Sequence, residues 1–168
     1  SYQNDQGLLD KTSNNKLRAK MSINQGNFDD RLSIDYNLTY SKGKSELADN
    51  SILQQVARRN PTEPVYDQEG ITPISGGYYY NPGPFQYFNP VAMVNESTRE
   101  KEMRDVMGSM KASFEIIEGL KASVMGSITQ SSSNTGSYFG RYYPKDFGTN
   151  GSAEIKKSSS TNSLLEAS

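Results

Sequence analysis

The feature that most constrains this chain is an alternation of apolar and polar side chains with a period of two residues. In its clearest stretch, residues 31–41, the apolar positions are Leu32, Ile34, Tyr36, Leu38 and Tyr40. One face of a helix cannot produce such an alternation, whereas a β-strand with one apolar face produces it directly. The same rhythm recurs along the chain, and it predicts strands over residues 16–26, 30–41, 104–117 and 119–130.

The connections between these predicted strands are of two kinds. Residues 25–30 and Ile117-Glu118-Gly119 are short and rich in turn-forming residues, as in β-hairpins. Residues 42–103 and 131–162 are instead long polar stretches. Short turns at one end and long loops at the other are typical of outer-membrane β-barrels, in which strands of about 9–11 residues cross the bilayer at a tilt.

The first long loop contains one predicted helix, over residues 52–59. Ser51 and Gln54 have the spacing of a capping box, a short apolar stripe follows them, and Asn60-Pro61 ends the helix.

The same loop contains a segment rich in Tyr, Phe, Gly and Pro. Clustered aromatic residues can stack on sugar rings or anchor a partner protein, but they can also pack the loop against itself or form the aromatic girdle of a barrel. A second cluster, over residues 138–143, has the same alternatives. The candidates for contact with a substrate or partner are Tyr78, Tyr79, Tyr80, Phe85, Tyr87 and Phe88.

Composition excludes several classes of function. The 168 residues include no Cys and no His, which excludes zinc fingers, disulfide frameworks and Ser-His-Asp triads. The 18 basic residues nearly cancel the 19 acidic ones, so no basic excess is present to bind nucleic acid. The carboxylate pairs Asp29/Asp30 and Glu115/Glu118 lie in or beside tight turns and are interpreted as solvated. We therefore predict no catalytic, cofactor-binding or metal-binding residue.

Two interpretations of the strands remain open. A soluble secreted β-sheet domain could bind glycans through its Tyr-rich loops, whereas a transmembrane barrel would turn the apolar face to lipid. Only 33% of the residues are hydrophobic, which leaves little material for a second layer, and a connection of about sixty residues is uncommon in a compact domain. Both observations favour the barrel. The residues then expected to face lipid are Leu32, Ile34, Leu38, Val106, Phe114, Leu120, Val124 and Ile128.

Four short stretches carry a resemblance to a known family. They are Tyr2-Gln3-Asn4-Asp5-Gln6-Gly7-Leu8-Leu9, Arg59-Asn60-Pro61-Thr62-Glu63-Pro64-Val65-Tyr66-Asp67-Gln68-Glu69-Gly70, Phe88-Asn89-Pro90-Val91-Ala92-Met93 and Glu118-Gly119-Leu120-Lys121. In their order and spacing they resemble the SusC/RagA family of TonB-dependent outer-membrane transporters, which is characteristic of Bacteroidetes.

The resemblance implies a location in the bacterial outer membrane and the import of large nutrients such as oligosaccharides or peptides. It also implies a SusD-like surface lipoprotein as partner, energy supplied through TonB, and no catalytic residue. The sequence contains no plug domain, and four strands cannot close a barrel. We therefore expect an all-β fold, a fragment of the early barrel with about four full antiparallel up-and-down strands, long loops and one short loop helix.

Overall fold

The computed structural model describes residues 1–28, 31–67, 75–80, 87–146 and 149–168. They form one antiparallel sheet whose six strands are neighbours in chain order, which confirms the prediction of an all-β, up-and-down fold. The strands are β1 (Tyr2–Gln6), β2 (Ser13–Asn27), β3 (Leu32–Glu46), β4 (Ser97–Ile117), β5 (Leu120–Phe139) and β6 (Ser152–Ala167). The connections contain helices α1 (Ile52–Arg58) and α2 (Pro90–Asn95) and a 3₁₀ turn at Pro144–Asp146.

The strands are longer and more numerous than the sequence pattern predicts. β4 and β5 have 21 and 20 residues, and both continue well beyond the last apolar position of the alternation. The predicted loop over residues 131–162 is correspondingly shorter, since β5 ends at Phe139 and β6 begins at Ser152. In these extensions most side chains on both faces are polar, so the alternation that reveals a strand in the sequence is absent even though the hydrogen-bonded ladder continues.

The register brings the apolar positions of neighbouring strands onto one face of the sheet, called here the apolar face. Leu32 of β3 lies opposite Phe114 of β4. Leu38 lies opposite Gly108, which in turn lies opposite Ile128 of β5. The opposite face, called the polar face, carries residues such as Asn37 and Ser127. The apolar face holds all eight residues expected to face lipid: Leu32, Ile34, Leu38, Val106, Phe114, Leu120, Val124 and Ile128.

The apolar side chains occupy only part of the apolar face. On β3, β4 and β5 they span residues 32–40, 106–116 and 120–128, which together are called here the apolar band. Toward the end of the sheet with the long connections, the same face becomes charged, with Lys42 and Lys44 on β3 opposite Arg104 and Glu102 on β4. The band therefore has a polar border on this side.

The buried apolar core lies in the connections and not on the sheet. Ile52, Met93 and Tyr143 form a buried cluster, and the residues packed against it are Leu9, Ala48, Phe88, Val94 and Phe139. Within the described residues, no second layer covers the apolar band, where Leu38 and Ile128 are 45% and 53% exposed. None of the helices in the described part of the chain is long and apolar enough to cross a membrane.

The predicted turn between β4 and β5 is present at Glu118-Gly119. Gly119 has a φ of 86°, in the left-handed region that a residue without a Cβ adopts at little cost. The Glu115 side chain accepts a hydrogen bond from the Gly119 N–H at 3.3 Å and lies 3.5 Å from the Lys121 ammonium. Glu115 thus supports this turn, while Asp29 and Asp30 lie outside the described residues.

Candidate functional site: the loop cap and the two sheet faces

The two long connections, β3 to β4 and β5 to β6, and the shorter connection from β1 to β2 lie at one end of the sheet, in a unit called here the loop cap. It consists of the described residues of 7–12, 47–96 and 140–151. These connections meet because β1, β3 and β5 end where β2, β4 and β6 begin. The short connections, β2 to β3 and β4 to β5, lie at the opposite end. The expected layout of long loops at one end and short turns at the other is therefore present.

Asn89 connects helix α2 to two other segments of the loop cap. Its carboxamide oxygen accepts hydrogen bonds from the backbone N–H groups of Val91 at 3.1 Å and Ala92 at 3.4 Å, which caps the helix. Its amide nitrogen donates to the carbonyl oxygens of Val65 at 2.7 Å and Tyr79 at 3.3 Å. Because Asn89 is only 4% exposed, these four bonds satisfy a buried amide and fix the surrounding backbone.

Helix α1 lies within the predicted range, but the predicted capping box at Ser51 is wrong. The Ser51 side chain makes no cap hydrogen bond to the helix. Its hydroxyl donates instead to a carboxylate oxygen of Asp49 at 2.7 Å. Farther along α1, the buried Gln55 side chain accepts a hydrogen bond from the backbone N–H of Phe88 at 3.0 Å, which joins α1 to the segment before α2.

Asp49 and Tyr143 connect the two long loops through a partly buried hydrogen bond, and Lys145 adds an ion pair to Asp49. The other carboxylate oxygen of Asp49 accepts a hydrogen bond from the Tyr143 hydroxyl at 2.6 Å. The Lys145 ammonium lies 2.8 Å from the same oxygen and donates to the Ser51 hydroxyl as well. This group of four residues is called here the Asp49 latch.

Electrostatics within the latch favour the charged carboxylate and the neutral phenol. Burial alone would raise the pKa of Asp49, but the hydrogen bonds from Lys145 and Tyr143 outweigh it, so that the pKa lies well below its usual range. Burial raises the pKa of Tyr143, and the neighbouring Asp49 carboxylate raises it further. The latch is thus fully formed at neutral pH.

The structure assigns packing contacts to several of the aromatic candidates. The Tyr78 ring stacks on Tyr66, with 5.7 Å between the ring centroids. The Tyr79 ring lies 5.9 Å from the guanidinium of Arg59, in a cation–π contact. Phe88 packs against the buried cluster of the loop cap. These contacts fit the interpretation in which the aromatic loop packs against itself.

The remaining candidates differ in position. Tyr80 and Tyr87 are 37% and 38% exposed on the loop cap. Phe85 lies outside the described residues. In the second cluster, Tyr143 is buried with its ring centroid 4.7 Å from that of Phe139. The prediction that Tyr78, Tyr79, Tyr80, Phe85, Tyr87 and Phe88 contact a substrate or partner stays a prediction.

The sequence interpretation missed the residues that organise the loop cap. Asp49 and Tyr143 are far apart in the chain, and no local pattern pairs them. Asn89 could have been recognised, because Asn followed directly by Pro is a common start of a helix, with Pro at the first helical position. Among the described residues, no group of three His, Cys, Asp or Glu side chains is placed to bind a metal ion.

The two faces of strand β5 differ in exposure in an unexpected direction. Every polar-face residue of β5 from Ser123 to Phe139 is half-buried. On the apolar face of β5, every residue except Gly126 and Gly136 is exposed. The larger apolar side chains are therefore more accessible than the small serines and threonines on the other side of the same strand.

Comparison with known proteins gives one informative similarity. The chain is similar to the TonB-dependent receptor SusC of Bacteroides thetaiotaomicron, with 32% identity over 82 residues. The aligned region is 48% of this chain and 8% of the receptor, so the chain corresponds to a small part of that protein's length. No family model matches the chain. The similarity agrees with the SusC/RagA resemblance and relates the chain to outer-membrane transporters.

Proposed function

We propose that this chain forms part of the β-barrel wall of a TonB-dependent receptor in the bacterial outer membrane. In this proposal the apolar face contacts outer-membrane lipid, the polar face lines the interior, and the loop cap lies outside the cell. The eight residues Leu32, Ile34, Leu38, Val106, Phe114, Leu120, Val124 and Ile128 are the lipid-facing positions.

The observation that carries the proposal is the difference in exposure between the faces of β5. Side chains crowd together on the concave side of a curved sheet and spread apart on its convex side. Val124 and Ile128, on the apolar face, are 50% and 53% exposed. Ser127 and Thr129, which flank Ile128 in the chain and lie on the polar face, are half-buried. A convex apolar face and a concave polar face are what a barrel wall in lipid requires. A soluble sheet would instead cover its apolar face with a second layer.

The length of the apolar band along the strands also supports contact of the apolar face with lipid. Residues 32–40 on β3 and 120–128 on β5 each span nine positions, and residues 106–116 on β4 span eleven. About 9–11 residues of a tilted strand cross the hydrocarbon core. The charged border at Lys42 and Arg104 then lies at the level of the lipid headgroups, and the remaining parts of β4 and β5 extend beyond the bilayer.

The similarity to SusC supports the functional part of the proposal. The complete protein would import large nutrients such as oligosaccharides or peptides, without being an enzyme. A SusD-like lipoprotein would contact the loop cap, and TonB would act through a plug region other than these 168 residues. Of the six aromatic candidates, Tyr80 and Tyr87 are the described side chains that are exposed, at 37% and 38%, and in this proposal they contact such a substrate or lipoprotein.

Orientation in the membrane can be tested with cysteines at adjacent positions on opposite faces. Single substitutions Leu38→Cys and Asn37→Cys, and likewise Ile128→Cys and Ser127→Cys, would be made in the intact protein and labelled with a fluorophore in outer-membrane vesicles. We expect lipid-borne nitroxide quenchers to act on positions 38 and 128, and aqueous iodide to act on positions 37 and 127. Reversed preferences would overturn the orientation.

Iodide quenching of all four positions alike would instead support the alternative function, a soluble secreted β-sheet domain that binds glycans through its Tyr-rich loops. The sidedness of the loop cap needs a separate measurement. A membrane-impermeant maleimide should label Leu53→Cys on α1, where Leu53 is 63% exposed, in whole cells. It should label Glu118→Cys, in the opposite turn, only after the outer membrane is permeabilised.

A further inference from the structure

A polar cavity of about 450 Å³ lies on the apolar face directly beyond the apolar band. It spans β4, β5 and β6 on the side of the loop cap. Arg104, which lines it, is only two positions beyond Val106, the last residue of the band on β4. The lining residues that belong to the apolar face are Glu102, Arg104, Ser132, Asn134, Lys157 and Ser159.

The charges around this cavity leave an excess of positive charge. Arg104 is 3.6 Å from Glu102, in an exposed ion pair that neutralises it only in part. The Lys157 side chain makes no hydrogen bond or ion pair with any described residue, although its backbone pairs with Asn134 of β5. Lys42 lies directly opposite Arg104 on the neighbouring strand, where like charges repel each other. An anion bound between these side chains would relieve that repulsion.

A second hollow lies on the apolar band next to this cavity. It has a volume of about 560 Å³ and exists because Gly108 and Gly126 add no side chains to the face. Leu38, Met110 and Ile128 are among the apolar side chains that line it. The two hollows share strands β4 and β5, so a molecule with a polar head and an apolar chain could occupy both.

We propose that these two hollows bind one membrane lipid, with its phosphate-bearing headgroup in the polar cavity and an acyl chain along Gly108 and Gly126. This inference rests on the proposed function, which places the apolar band in the bilayer. The planar guanidinium of Arg104 binds two phosphate oxygens at once, and Lys157 adds a point charge. Ser132, Asn134 and Ser159 supply hydrogen bonds to headgroup hydroxyls. Basic residues at the border of a membrane-spanning region are the usual means of binding anionic headgroups.

The test uses the intact protein purified from outer membranes and transferred to phosphatidylcholine nanodiscs that contain phosphatidylglycerol as the probe lipid. Native mass spectrometry measures the retained phosphatidylglycerol. We expect Arg104→Gln and Lys157→Gln each to weaken retention about fivefold. The matched control is Lys156→Gln, because Lys156 is the chain neighbour of Lys157 but lies on the polar face, 3.1 Å from Glu154.

The inference is overturned if the double variant retains as much phosphatidylglycerol as the parent, or if Lys156→Gln loses as much as Lys157→Gln. Inorganic phosphate, measured as a competitor, should displace the lipid poorly, because it has no acyl chain. If millimolar phosphate displaces the lipid completely, the cavity is a site for free phosphate and not for a lipid. The labelling at positions 37 and 38 separates the two proposals: lipid quenching at Leu38→Cys with unchanged retention rejects this inference alone.

Discussion

The hydroxyl of Tyr143 donates a hydrogen bond of 2.6 Å to the carboxylate of Asp49, across a separation of 94 residues in the chain. Asp49 lies just after β3 and Tyr143 just after β5, so this bond joins the two long connections of the loop cap. The Tyr143 ring is at the same time part of the buried cluster with Ile52 and Met93. The Tyr143 side chain thus belongs both to the buried cluster of the loop cap and to the Asp49 latch.

Removal of the Tyr143 hydroxyl should destabilise the loop cap while the packing of its buried cluster is kept. Tyr143→Phe keeps the ring but loses a hydrogen bond to a charged group, which contributes about 1.5–3 kcal/mol. Hydrogen exchange of the intact protein, followed by mass spectrometry, should show faster exchange in residues 47–60. Tyr142→Phe is the control, because the Tyr142 hydroxyl has no hydrogen bond with a described residue. Equal exchange in the parent and Tyr143→Phe would contradict a stabilising role of the latch.

The stability of the latch should depend on pH in the acid range. The pKa of Asp49 is lower in the folded cap than its ordinary value of 3.8, so the folded state binds fewer protons than the unfolded one. The contribution of Asp49 is therefore complete above about pH 4 and is lost as the pH falls below that value. An environment-sensitive fluorophore on Leu53→Cys would follow the transition. In Asp49→Asn, which cannot titrate, this transition should be absent, and its persistence would assign it to another group.

Substitutions of Asn89 should separate the role of its carboxamide oxygen, which caps helix α2, from that of its amide nitrogen, which binds two backbone carbonyl groups. Asn89→Asp keeps an oxygen for the N–H groups of Val91 and Ala92, so helix α2 should remain capped. The second carboxylate oxygen would face the carbonyl oxygens of Val65 and Tyr79 without a proton to donate. We therefore expect limited proteolysis to cut near residues 60–80 first.

Asn89→Ala removes both sets of bonds, and the loss of the cap alone costs about 0.5–2 kcal/mol. This variant should therefore expose α2 to the protease as well as residues 60–80. The same cleavage pattern in Asn89→Asp and Asn89→Ala would contradict this prediction, because it would show that the two sets of hydrogen bonds cannot be lost separately.

The strands and their faces could be predicted from the sequence only where one face is apolar. The alternation around Leu38 fixes both a strand and its register, because a shift of one residue would move every side chain to the other face. β6 contains the run Ser158-Ser159-Ser160 and shows no such alternation, although its backbone pairs with β5 along its whole length. Its position depends on the neighbouring strand, which a local pattern does not contain.

The structure of the loop cap could not be predicted from the sequence for a related reason. Helix α2 has only six residues, too few to show a period of 3.6, and it forms because Asn89 caps it and Met93 is buried against Ile52 and Tyr143. Burial of Met93 depends on contacts between segments far apart in the chain. The sequence indicated an aromatic loop correctly, but whether each ring packs inward or faces solvent is decided by these distant contacts.

The exposed and the packed aromatic residues of the loop cap should respond differently to truncation. Tyr80→Ala and Tyr87→Ala remove rings that are 37% and 38% exposed, so they should lower binding of substrate or lipoprotein. Phe88→Ala removes a ring packed against the buried cluster and should destabilise the cap. Oligosaccharide or peptide uptake by cells, measured together with hydrogen exchange of the cap, distinguishes these effects. Unchanged uptake in the Tyr80→Ala, Tyr87→Ala double variant would show that neither residue contributes to binding of the substrate or the lipoprotein.

A charge placed on the apolar band should prevent membrane insertion, whereas the same charge one residue away should not. Leu38 lies near the middle of the band on β3, and Asn37 beside it is on the polar face. At the middle of the bilayer, an arginine on the lipid-facing side of a barrel costs about 2–4 kcal/mol, while one on the interior side can be solvated. The yield of heat-modifiable, folded protein in outer membranes should therefore fall in Leu38→Arg and stay near that of the parent in Asn37→Arg. Because the two variants carry the same residue at neighbouring positions, equal yields would mean that the apolar band does not face lipid.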